Sequence, residues 1–221
     1  MRIAIFDFDG TLYANETFQL MMDRLKSHPT YSPLYKPFFR TILWPYISYK
    51  LKLLPEPKMR ERSMQIYLNA LQHLSREEIH HYFQEMKHAI QEDFNEKVVQ
   101  RYTEHRQNGD YTMLVSGAYT SFLHEVTSDF QFDRIIGTDI PFTRDEMIDL
   151  SQAIYHIQGD RKTEKVLSCL ASENVDWSRS YAYGDSFSDL PVLQIVGNPV
   201  AVRPDSKLEA MAIEQKWEII R

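Results

Sequence analysis

Ile3, Ala4, Ile5 and Phe6 form an apolar run that ends abruptly at Asp7 and Asp9. Four consecutive apolar positions stopped by charge read as a short buried strand that delivers two carboxylates at its carboxyl end. The period then changes. Phe18, Met21, Met22 and Leu25 recur at helical spacing and predict a helix over 17–26. Pro29, Pro33 and Pro37 are expected to interrupt any regular element after it. Helical spacing returns from Met59, and Ser75 with Glu78 has the spacing of a capping box. That box opens a helix whose apolar face is Ile79, Phe83, Met86 and Ile90. Val98, Val99 and Tyr102 predict another helix, stopped by Asn108-Gly109.

Beyond that point apolar strands and amphipathic helices alternate. Thr112 to Val115 read as a strand, Phe122, Leu123, Val126 and Phe130 as a helix, and Arg134 to Gly137 as a strand. Ile140-Pro141-Phe142 and Ala153 to Ile157 read as the arms of a β-hairpin. A helix with Val166, Leu167 and Leu170 follows. Then come a strand ending at Gly184, a Pro191-started helix, a strand at Val200 to Val202, a helix with Leu208, Met211 and Ala212, and an edge strand at Trp217 to Ile220. This alternation predicts an α/β fold with a doubly wound, mainly parallel sheet. Residues 1–13 and 96–221 form its core, and 14–95 an all-helical insertion.

Composition narrows the class. The 221 residues, 43% hydrophobic and 13% aromatic, suit one large domain or a domain carrying an insertion. A net charge of −6 gives no reason to expect nucleic acid. Uninterrupted apolar windows are too short for a transmembrane segment, and the start lacks the basic and long apolar regions of a signal peptide. Cys169, with no second cysteine to pair with, points to a reducing cytoplasm. Either a monomer or a homodimer fits.

Charge is unevenly spread. Between Tyr31 and Arg60 lie Lys36, Arg40, Lys50, Lys52, Lys58 and Arg60 against Glu56 alone, so this stretch is +5 and the remainder −11. Its part from 31 to 57 is also rich in aromatics. Three readings fit: the aromatics are the core of a small helical insertion under Lys and Arg stems, they shape a pocket for a phosphorylated substrate, or they contact a membrane surface weakly. His80, His81, Glu85 and His88 share one helix, but no glutamate directly follows a histidine as a zinc-protease helix requires, so a solvated face is expected.

The candidate chemistry sits at strand ends. Residues i and i+2 of an extended segment point to one side, so Asp7 and Asp9 should repel unless a cation neutralises them. A hard divalent ion, Mg2+, suits oxygen ligands. Gly10 and Thr11 turn the chain, where backbone amides can approach a bound anion. The string Asp7-Phe8-Asp9-Gly10-Thr11-Leu12 resembles the first motif of the haloacid dehalogenase-like phosphohydrolases. The resemblance implies Asp7 as nucleophile and Asp9 as general acid/base, with Gly10 and Thr11 beside the phosphate. Ser116-Gly117 resembles the second motif and supplies a hydroxyl and an amide to a phosphoryl oxygen. The third-motif lysine is better matched by Lys162, 23 residues ahead of Asp185, with Lys165 as the alternative. Gly184-Asp185 and Asp189 resemble the last motif. That implies Asp185 as a direct Mg2+ ligand and Asp189 as its neighbour or support, alongside the Asp7 carboxylate and the Asp9 carbonyl.

Within that family the chain looks most like the phosphoserine phosphatases, which carry a helical cap. Glu16 lies nine positions after Asp7, where those enzymes receive the substrate ammonium; the competing reading places it in the first turn of the insertion helix. Ser188 replaces their usual asparagine. Arg60 or Arg62 is a candidate for the substrate carboxylate, with Arg62 taken as the specificity residue. The implied partner is a small phosphorylated metabolite, phosphoserine first and an amino-alcohol phosphate such as phosphoethanolamine or phosphocholine second. A catalytically silent binding protein on the same fold is the alternative from a different class.

Overall fold

A computed structural model describes all 221 residues. In chain order the elements are β1 (Ile3–Phe6), α1 (Thr17–Ser27), α2 (Ser32–Lys50), α3 (Glu56–Ala70), α4 (Arg76–Gln84), α5 (Lys87–Gln91), α6 (Glu96–Gln107) and β2 (Tyr111–Tyr119). They continue as α7 (Thr120–Val126), β3 (Arg134–Thr138), α8 (Asp160–Cys169), β4 (Tyr181–Gly184), α9 (Leu190–Leu193), β5 (Asn198–Val202), α10 (Ser206–Glu214) and β6 (Glu218–Ile220). The six strands form one sheet in the order β3-β2-β1-β4-β5-β6. Every neighbouring pair is parallel, as the doubly wound expectation requires. The chain winds outward from β1 to β3, then returns to place β4 on the other flank of β1. The β1/β4 boundary is therefore the switch point where open α/β sheets bind ligands.

Strand periodicity divides the core. Ala4 and Phe6 of β1, with Leu114, Tyr183 and Val200, face the helices that precede β2 and α7. Ile3 and Ile5, with Met113, Val115 and Ala182, face the layer containing α8, α9 and α10. Both faces of β1 are thus covered, which explains its unbroken apolar run. Aromatic contacts tie the helices between β1 and β2 to the first face. Phe83 lies edge-on to Phe122 with centroids 5.5 Å apart, and the buried Tyr119 hydroxyl donates to the Met64 carbonyl at 2.6 Å.

Three expectations change. The prolines do not end helical structure after Pro29. Pro33 occupies the first turn of α2, where a missing amide costs nothing, while Pro37 and Pro45 lie inside the helix. Phe38, Ile42 and Pro45 bury one face of α2, and that packing overrides the interior prolines. The aromatic stretch is therefore only partly core: Phe39, Trp44, Tyr46 and Leu53 are exposed. The helix beginning at Ser75 keeps its capping box but splits into α4 and α5. Finally, the hairpin closes at once. Phe142 pairs with Ile148 across a turn at Thr143–Glu146, while 153–157 runs as irregular chain with Ile154 and Ile157 buried.

A polar network crosses the sheet. Asp110, buried before β2, accepts from Arg2 and pairs with His105 Nδ1 at 2.7 Å; His105 Nε2 meets the Tyr183 hydroxyl at 2.8 Å. Burial holds His105 below its ordinary pKa despite Asp110. The folded protein therefore takes up a proton there less readily than the unfolded chain. Stability from this group is present above the unfolded value of about 6.5 and is lost as pH falls through the folded value. In urea unfolding, a His105→Gln variant should lose less stability than the wild type, or gain more, between pH 7.5 and pH 5, although it starts less stable.

Candidate active site

β1 ends at Phe6, so Asp7 and Asp9 lie on the connection leaving the sheet and need not point together. Asp7 continues the strand by one bond, its amide donating to the Tyr183 carbonyl at 3.0 Å. Its buried carboxylate accepts from Lys162 Nζ at 2.7 Å. The Asp9 carboxylate turns to the start of α1 instead, where Oδ1 accepts from the Thr17 amide at 2.7 Å and from the Thr17 hydroxyl. Burial, then the Glu16 carboxylate, pushes Asp9 up to about 6. The expected pair of converging carboxylates is thus divided between two neighbourhoods by their hydrogen-bond partners.

The convergence on Asp7 comes from distant segments. Gly159, with φ of +54°, opens α8, and Lys162 on the first turn reaches inward. Its ammonium also donates to Asp189 Oδ1 at 2.6 Å. Lys165 is exposed and lies over the Tyr155 ring, so of the two lysines it is Lys162 whose ammonium lies at Asp7. Asp189 Oδ2 accepts from the Ser186 hydroxyl at 3.1 Å and from its amide at 3.3 Å, closing the turn after β4. Asp205 holds that turn from outside: its amide donates to the Asp185 carbonyl at 2.8 Å, and its Oδ2 accepts from the Phe187 amide at 2.8 Å.

Carboxylate oxygens of Asp7, Asp185 and Asp189 lie within 4.8 Å of one another. Burial and the neighbouring Asp189 raise both Asp7 and Asp185, the latter to about 7. Burial alone would lower Lys162, but Asp189 and Asp7 outweigh it and raise the ammonium pKa. One ammonium among three carboxylates leaves the cluster short of positive charge. Its donors are all hard oxygens, so the residues fit a divalent cation of the Mg2+ type. The Asp9 carboxylate is outside this cluster.

The turn after Asp7 is built for close approach. Gly10 has φ of +70°, and a Cβ there would lie 2.3 Å from Asp185 Oδ2. Its amide, however, donates to the Asn15 carbonyl at 3.1 Å, and the Thr11 amide to Phe8 at 3.3 Å. The anticipated anion-binding amides of Gly10 and Thr11 are spent closing the turn, which Arg203 also clamps through the Gly10 and Ala14 carbonyls. Thr11 Oγ1 is buried without a hydrogen-bond partner. At the end of β2, the ladder with β3 shifts register between Val115 and Tyr119, freeing Ser116 and Gly117 from regular pairing. Buried Ser116 accepts from the Ala118 amide at 3.1 Å and keeps its own proton to donate.

The side facing α3 differs from expectation. Arg60, not Arg62, approaches Glu16, with Nη1 3.7 Å from the carboxylate. Residues two apart on a helix point in nearly opposite directions, and Arg62 is exposed elsewhere. Glu16 is the N-cap residue of α1, at the helix start, but its side chain makes no capping bond there and lies instead towards Arg60. Ser188 is exposed and bonds to the Ser186 hydroxyl at 2.7 Å, acting on the turn that holds Asp189. Sequence reading missed His156, Glu61 and Arg161. Arg161 joins Glu61 Oε2 at 2.8 Å and the His156 carbonyl at 3.0 Å. His156 is buried beside Gly117, where a Cβ would come within 2.7 Å of Nε2. Burial, then Arg60, pushes its pKa down to about 4. The lone histidine in the apolar run Ala153 to Ile157 was the available signal.

Known proteins resemble this chain in sequence and in fold. Over 119 residues the chain is 29% identical to a histidinol-phosphatase of Neisseria meningitidis, covering 52% of this chain and 54% of that protein. Over 63 residues it is 40% identical to the phosphoserine phosphatase SerB1 of Mycobacterium tuberculosis, covering 28% and 20%. The matched regions span about half or less of the curated relatives' own length. A crystal structure of a protein with unknown function from Bordetella pertussis shares the fold, with a TM-score of 0.82 and 22% identity over 100% of this chain and 98% of that one. The haloacid dehalogenase-like hydrolase family matches residues 4–194, with every one of the converging acidic and basic side chains inside that range. The chain belongs to the haloacid dehalogenase-like hydrolases.

Proposed function

We propose that the protein hydrolyses phosphate monoesters through an aspartyl-phosphate on Asp7, with Mg2+ bound by Asp7 and Asp185 and supported by Asp189. The observation that carries this reading is the buried Lys162 ammonium bridging Asp7 and Asp189 beside Asp185. Bound there, Mg2+ would offset the negative charge of nucleophile and phosphate together. The Asp7 carboxylate attacks phosphorus and the ester oxygen leaves, taking a proton from Asp9. Asp9 suits that acid, because Oδ1 is fixed by Thr17 and burial keeps the carboxyl protonated to higher pH than usual. Water then gives its proton to the Asp9 carboxylate and attacks phosphorus, the Asp7–phosphate bond breaks, and inorganic phosphate departs. Lys162 holds Asp7 in line, and Ser116 and Gly117 donate to phosphoryl oxygens. Residues 14–95 act as the cap over a core of 1–13 and 96–221.

A small amine-bearing phosphate, phosphoserine first, is the substrate this arrangement favours. Glu16 and Arg60 stand as opposite charges at the entrance from α3. A zwitterion can exchange their mutual pairing for its own ammonium on Glu16 and its carboxylate on Arg60. Histidinol phosphate, suggested by the Neisseria relative, and phosphoethanolamine carry an ammonium but no carboxylate and would use Glu16 without Arg60.

Asp7→Asn should abolish hydrolysis of an aryl phosphate with folding intact by circular dichroism, and chelation should abolish it in the wild type until Mg2+ is restored. Gly10→Ala should weaken the apparent Mg2+ affinity about tenfold or more by displacing Asp185, read from activity against Mg2+ concentration. In a panel of phosphoserine, histidinol phosphate, phosphoethanolamine and an aryl phosphate, Glu16→Gln should lower kcat/KM for the three amines about 10- to 100-fold and spare the aryl ester. Arg60→Gln should harm phosphoserine selectively. Equal losses on all four would remove the basis for an amine substrate.

A further inference from the structure

The aromatic and basic stretch remains outside the chemistry, and its structure gives it a second surface. Phe38, Ile42 and Pro45 turn inward from α2, with Phe38 edge-on to Tyr67 of α3 at 5.5 Å. Leu43, Trp44, Ile47 and Leu51 share the opposite, outward side, and Leu53 extends it past the helix end. Trp44, Leu51 and Leu53 are 73%, 64% and 76% exposed, values unusual for side chains of this size in a cluster. Lys36, Arg40, Lys50 and Lys52 flank them, all exposed, and none takes part in an ion pair. The chain carries no acidic residue from Arg24 through Pro55.

We propose that this outward face of α2, with the turn at Leu51–Leu53, seats the protein on an anionic lipid bilayer. Apolar and aromatic side chains intermixed with unpaired cations match the boundary between acyl chains and anionic headgroups. No helix is long and apolar enough to cross a membrane, so α2 lies in the surface plane. Charge fixes the orientation as well. Lys36, Arg40, Lys50 and Lys52 face the lipid, while the chain outside residues 31–60, at −11, is repelled from it. A second copy of the chain is the weaker occupant. A two-fold contact through this face would set Lys36, Arg40, Lys50 and Lys52 against their own duplicates without an acid between them. The seat is one helix away from chemistry, because α2 packs on α3, which carries Arg60 and Glu61.

Co-sedimentation of the full chain with phosphatidylcholine vesicles, with and without phosphatidylglycerol, tests this independently of the proposed reaction. Binding should require phosphatidylglycerol, weaken as salt rises, and fall about fivefold for each of Lys36, Arg40, Lys50 and Lys52 changed to Gln. A Trp44→Ser, Leu53→Ser double variant should lose binding, and bilayers with brominated acyl chains should quench Trp44 emission in the wild type. Hydrolysis of a soluble aryl phosphate without lipid should be unchanged in all these variants, so loss of seating and loss of chemistry are read separately. No sedimentation with phosphatidylglycerol vesicles, or sedimentation undiminished in the double variant, would overturn the proposal. So would a dimer in sedimentation equilibrium that the same substitutions dissolve, or binding only to a protein partner.

Discussion

Lys162 shares its ammonium between Asp7 and Asp189, at 2.7 and 2.6 Å, with all three side chains buried. Buried ions persist only where their partners are held in place; removing one partner of such a set costs about 3–5 kcal/mol. The fold supplies that constraint. β1 and β4 are adjacent parallel strands, so the segments leaving their carboxyl ends deliver Asp7 and Asp189 to one side, and α8 starts close enough for Lys162 to reach both. The turn after β4 is fixed by Ser186 and Asp205, and the turn after β1 by Arg203. These outer bonds have no chemistry of their own. They keep three acids and one base from relaxing apart.

The cluster remains electrically incomplete. Three carboxylates with one ammonium favour a cation, and the upward shifts of Asp7 and Asp185 are what burial and mutual repulsion produce without further positive charge. Asp9 belongs to a different environment two residues away. Its carboxylate is held by Thr17 and faces Glu16 rather than the acid cluster. Two acids on one short connection can therefore have different tasks, because their hydrogen-bond partners come from different elements.

Much of this was legible in the chain. The apolar run before Asp7, the strand ending at Gly184-Asp185 and the lysine after Gly159 each carry a local pattern, and parallel sheet topology brings strand ends together once the order is known. The parts that were not legible depend on directions rather than positions. Periodicity within a strand says nothing about Asp9 once the strand has ended at Phe6. The difference between Arg60 and Arg62 is the phase of α3, fixed by Tyr67 and Leu68 packing inward. The sequence of Gly10 suits an anion-binding turn, but its amide is occupied and its absent side chain instead admits Asp185. The prolines of α2 suggested a break because local preference weighs against helix; the buried side of that helix reverses the balance. His156 stands in an apolar run whose pattern suits a hairpin arm, and only the tertiary fold shows that it sits beside Gly117.

Asp7, at the convergence of Lys162, Asp185 and Asp189, is proposed as the nucleophile that takes the phosphoryl group. Acid quenching during turnover of a radiolabelled phosphate ester in Mg2+, followed by peptide mapping, addresses this directly. Hydroxylamine-sensitive label is expected on the peptide containing Asp7 and should be absent when Asp7 is replaced by Asn. Label on another peptide, or full turnover with no covalent label while Asp7→Asn remains active, would contradict that role.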